Sequence, residues 1–134
     1  MSNSYQKSAQ LQPRGTRPKP NILYIMSDDH AANAVSSYGS RLAAVFKTPN
    51  IDRLGEEGIR LNNFFSTNAL CTPARASLMT GQYSHTNGVR MLEDAWHPEN
   101  GGPNLAELLH QADYQTAIFG KWHLLCKAVG FDEY

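Results

Sequence analysis

With 134 residues, 41% of them apolar, the chain can build one modest domain, and two cysteines exclude a disulfide framework. Its 12 basic and 12 acidic residues balance, yet residues 1–20 hold Lys7, Arg14, Arg17 and Lys19 without an acid, leaving a net −4 beyond them. That excludes a basic nucleic-acid stripe from the body of the protein, and no apolar run is long enough to span a bilayer.

Residues 1–20, rich in Ser, Gln, Asn, Pro and Lys/Arg, predict a flexible basic tail. They lack the apolar centre of a secretory signal, so the chain as written is expected in the cytoplasm, and in the periplasm or outside the cell if its start is mis-called. Residues 21–134 then form the folded part. Ile22-Leu23-Tyr24-Ile25-Met26 is nearly all apolar, as in a strand buried on both faces, and Ser27-Asp28-Asp29-His30 closes it with polar groups. In α/β sheets ligands gather beyond the carboxyl ends of strands, which marks this turn as a place for a site. Thr48-Pro49 opens a short helix with Ile51 and Leu54 on one side, ending near Gly55 or Gly58.

Ile59, Leu61, Asn63 and Phe65 share one face of a second strand that leads into Cys71. There Thr72 is a good N-cap, Pro73 suits the first helical position and Gly81 is a stop. Residues 93–102 read as a polar loop. Leu105, Leu108, Leu109 and Ala112 mark an amphipathic helix after Pro103, and residues 114–119 a third strand ending at Gly120. Strands alternating with helices argue a layered α/β fold with a largely parallel sheet.

Three clusters carry the chemistry. Cys71 sits where the N–H groups and positive end of a helix meet, with Arg75 one turn along the same face, a geometry that suits an anion. The adjacent carboxylates of Asp28 and Asp29 are costly to hold without a cation or donors, and hard oxygens suit Ca²⁺ or Mg²⁺. On the residues alone, a helix cap or solvated turn is an equally good reading. Lys121 and His123, spaced by two in an extended segment, point the same way with Trp122 turned to the core. They could meet an anion as a point charge and a proton carrier, though a surface Lys and a core-edge His is the commoner case for such a pair alone. His85 and Asn87 are read as holding a loop, Arg90, His97 and His110 as surface groups, and Cys126 as a small buried apolar side chain.

Ala69-Leu70-Cys71-Thr72-Pro73-Ala74-Arg75-Ala76-Ser77-Leu78-Met79-Thr80-Gly81 resembles, at every position, the first signature of the type I sulfatases. Asn21–Asp29, Thr48–Leu54 and Gly120-Lys121-Trp122-His123 follow the same family's order, so the resemblance runs from about Lys19 to Tyr134. It implies the N-terminal portion of an alkaline phosphatase-like layered sandwich. It also implies a sulfuric ester hydrolase whose cysteine, here Cys71, is oxidised to formylglycine by a separate maturation enzyme that reads Cys-x-Pro-x-Arg. The hydrated aldehyde is that family's nucleophile: one hydroxyl attacks sulfur, and the second later expels sulfate.

By the same resemblance Asp28, Asp29 and the converted Cys71 ligate Ca²⁺, or Mg²⁺, while Arg75, Lys121 and His123 serve catalysis on a sulfated small molecule or carbohydrate. No nucleic acid or membrane is expected as a partner. The chain departs from the family's pattern at Asp113 and Leu125, where glycine is usual, and at Phe119, where a smaller residue is usual. Family members run several hundred residues and bring further metal ligands, another His and another Lys, so this chain is expected to be an incomplete fragment with weak activity or none. The rival readings are a phosphodiester or phosphonate hydrolase of the same superfamily and a non-catalytic truncated remnant.

Overall fold

The computed structural model describes residues 18–134, so most of the expected basic tail, residues 1–17, lies outside the described residues. The regular elements are helical. Three 3-10 turns, Ala32–Ala34, Ser36–Tyr38 and Arg41–Ala44, precede α1 (Pro49–Glu57), α2 (Cys71–Thr80), α3 (Ser84–Asn87) and α4 (Leu105–Gln111). No helix among the described residues is long and apolar enough to cross a membrane.

α1 begins at Pro49, whose fixed φ suits a first helical position, and its end at Gly58 follows the sequence reading. α2 starts two residues earlier than expected: Cys71 is its first residue and Leu70 its cap. Thr72 does not cap it. Its side chain is fully buried and its hydroxyl donates to the Leu92 carbonyl at 3.2 Å, a partner from another segment that capping would forfeit. Gly81 stops α2 as expected, in the left-handed region at φ 66° with its N–H on the Ser77 carbonyl. Asn104 starts α4 with a capping box, accepting from the Ala106 and Glu107 amides while Glu107 accepts from the Asn104 amide.

The three expected strands form no ladder among the described residues. Ile22 to Met26 are between 40% and 84% exposed, and Ile59, Leu61, Phe64 and Phe65 between 57% and 85%. The third segment makes one parallel bridge, Ala117 with Glu133, backed by the Ile118 amide on the Glu133 carbonyl at 3.0 Å. A parallel strand needs a neighbour delivered by a crossover, and residues 18–134 deliver one to the third segment alone.

The core gathers α2, α4 and the C-terminal segment: Ala76, Met79, Val89, Trp96, Ala106 and Leu124 are buried together. Trp122 turns into this core as expected, edge-on to both Trp96 and Phe131 with ring centroids 6.0 Å apart in each pair. Trp96 corrects the reading of residues 93–102 as simply a polar loop, since its side chain anchors that loop at 3% exposure.

Candidate active site

Three segments meet at Cys71. The turn after residues 22–26 brings Asp28 and Asp29, the start of α2 brings Cys71 and Arg75, and the segment beyond Gly120 brings Lys121. Asp28 divides its oxygens between them: Oδ1 accepts from the Cys71 thiol at 3.4 Å, and Oδ2 accepts from Lys121 Nζ at 2.6 Å. Asp29 stands beside them with φ 46°, a left-handed conformation that aspartate tolerates better than most residues. One ligand atom from each of Asp28, Asp29 and Cys71 lies within 4.8 Å of the other two.

The electrostatics agree from both sides of the pair. The hydrogen bond from Lys121, then that from the Cys71 thiol, holds the Asp28 carboxyl below the usual carboxylate range. The same bond to Asp28 raises the Lys121 ammonium above its ordinary value. Both side chains remain about two-fifths exposed, so the pair stabilises the fold little. Its weight is in where it puts charge.

Arg75 braces the segment that carries Lys121. Its guanidinium donates to the Lys121 carbonyl, which fixes the lysine's backbone against α2. Its Nε is enclosed and has no hydrogen-bond partner among the described residues. His123 has φ 53°, and its Nδ1 is likewise enclosed and unpartnered. The structure does not join His123 by hydrogen bond to Asp28, Cys71 or Lys121. His85 and Asn87 stay outside the site. His85 stacks on Tyr83, and Asn87 braces the turn after α2 through the Gln82 carbonyl and the Val89 amide. The Asp28–Lys121 pair had no signal in the sequence, because 93 residues separate the partners.

A carboxylate pair, a cysteine at a helix start and two cations at its rim have the make-up of a site that handles an oxyanion beside a divalent metal. The sulfatase family model matches residues 20–134, and the chain belongs to that family. It is 44% identical over 116 residues to an N-acetylglucosamine-6-O-sulfatase of Bacteroides thetaiotaomicron, covering 87% of this chain and 20% of that protein. It is 40% identical over 116 residues to human arylsulfatase D, covering 78% of this chain and 19% of that protein. A solved structure of a protein in complex with its substrate, D-glucosamine-2-N,6-O-disulfate, superposes with a TM-score of 0.78 at 44% identity, over 84% of this chain and 22% of that one. The chain thus spans about a fifth of the relatives it matches.

Proposed function

We propose that this chain supplies the nucleophile-bearing part of a sulfuric ester hydrolase, which cleaves a sulfate ester to an alcohol and sulfate. The observation that carries the reading is the meeting of Cys71 Sγ with Asp28 Oδ1 at 3.4 Å, inside a cluster that includes Asp29. The thiol occupies the place that the oxygens of formylglycine would take. The donor set fits a hard divalent cation: two carboxylates and an oxygen at position 71 fill about half of the six to eight positions Ca²⁺ prefers. Such a cation would supply the charge that favours an ionised oxygen at position 71.

The remaining roles belong to side chains of this chain. The N–H groups at the start of α2, the charge of the Arg75 guanidinium and Lys121 stabilise negative charge on the transferring oxygens. His123 serves as a proton carrier to the leaving alcohol. A sulfated sugar is the substrate class we favour, because the 44% relative is named for one and the superposing structure holds one. In the complete domain the segments 22–26, 59–65 and 114–119 become strands of a largely parallel sheet in an alkaline phosphatase-like sandwich, a reading supported by the TM-score of 0.78.

The test is the chemistry of position 71. When the chain is co-expressed with a formylglycine-generating maturation enzyme, mass analysis of the tryptic peptide Leu61–Arg75 should find the thiol converted to an aldehyde. A peptide that keeps its unmodified cysteine under those conditions removes the proposed nucleophile.

A further inference from the structure

Asp28 already has a cation. Lys121 Nζ lies 2.6 Å from its Oδ2, and the Arg75 guanidinium holds the Lys121 carbonyl, so the lysine backbone is pinned while its side chain remains 40% exposed and free to swing. We propose that Lys121 is the resident counter-charge of the metal site and competes with a divalent cation for Asp28, so that metal loading releases the lysine toward the sulfate. This rests on the metal reading above.

The argument is one of charge. Oδ1 faces Cys71 and Oδ2 faces Lys121, so a cation seated among Asp28, Asp29 and Cys71 sits within a few ångströms of an ammonium held by the same carboxylate. A divalent ion and a unit charge repel at that range even through water. The two therefore share Asp28 only at a cost, and the more mobile partner yields. A freed Lys121 turns to the next anion at the rim, which is the transferring sulfate. Without metal, the lysine thus neutralises Asp28 and leaves one carboxylate, Asp29, beside it, and cation and ester bind in that order.

Calorimetry with Ca²⁺ alone, on the full 134-residue chain, tests this. Lys121→Met removes the charge and keeps much of the apolar stem; Lys121→Arg keeps the charge. Because Arg75 grips the main chain at position 121, neither substitution removes that anchor, and circular dichroism checks that each variant folds. Competition predicts Ca²⁺ binding about tenfold tighter in Lys121→Met than in wild type, with Lys121→Arg close to wild type. Binding by Lys121→Met where wild type shows none is the same result in stronger form. Equal affinities in all three proteins, or weaker binding by Lys121→Met, overturn the competition and leave the metal site standing. No Ca²⁺ binding by any of the three overturns both.

Discussion

Leu125 holds φ at 55° while its side chain is 54% exposed, so little burial offsets a left-handed backbone that costs an L-residue about 1–2 kcal/mol. It stands where the sulfatase pattern usually has glycine, and so does Asp113, whose φ is 59°. Both departures were legible in the sequence, but their backbone meaning was not, because a motif records which residue is usual and not which conformation requires it. Leu125→Gly should therefore raise stability by about 1 kcal/mol, read as a higher urea midpoint at unchanged slope. Asp113→Gly should gain less, since aspartate tolerates this region and Asp113 keeps an exposed ion pair with Lys19 at 3.1 Å. A lower midpoint for Leu125→Gly would refute the strain. Gly130 is the converse case: at φ 83°, an added Cβ would meet the Glu107 amide nitrogen at 2.9 Å and its Cγ at 2.8 Å. Backbone cannot step aside as a side-chain tip can, and Gly130→Ala should lower stability by about 2 kcal/mol or more in the same measurement.

At the scale of elements, α1 is tied to the turns before it by one carboxylate. Asp52 accepts from the Ser36 hydroxyl, the Thr48 hydroxyl at 2.9 Å and the Ser37 amide at 2.8 Å. The Ser36 hydroxyl is the largest of the causes that hold its carboxyl below the usual range. The folded value is depressed, so the stability this group contributes is present above the unfolded value, about 3.9, and is lost as pH falls through the folded one. Asp52→Asn should be less stable than wild type at pH 7, and the gap should close in urea titrations carried below about pH 4. A gap that persists unchanged into acid would assign the effect to packing instead. Thr48–Leu54 was legible as a helix opening and as a family segment. What Asp52 does there was not, because its partners Ser36 and Ser37 belong to another segment. Thr72 misled for the same reason: cap propensity is local, and the Leu92 carbonyl that won its hydroxyl is 20 residues away.

Across the whole molecule, order follows the core and stops at its edge. α2, α4, Trp96, Trp122 and the bridge from Ala117 to Glu133 enclose one another, whereas the apolar runs at 22–26 and 59–65 face outward without ladder partners among the described residues. Composition gives those runs the look of strands in a buried sheet, yet among the described residues they form none, because a parallel neighbour is set by topology far along a chain. Hydrogen exchange of the 134-residue protein should therefore protect the amides of α2 and α4 and leave residues 22–26 exchanging freely. Slow exchange at 22–26 in the monomer would mean that these strands find partners within this chain. The same incompleteness bears on catalysis, since Asp28 sits at the end of the unladdered run, and the cation proposed there would be positioned only as firmly as that run is held. Even with Cys71 converted, the chain alone is expected to show no measurable turnover of an aryl sulfate, because loosely held ligands that fill half a coordination shell cannot fix the reacting oxygen within the small tolerance that transfer requires. Turnover at the rates usual for enzymes would show that these 134 residues hold their nucleophile and metal without further support.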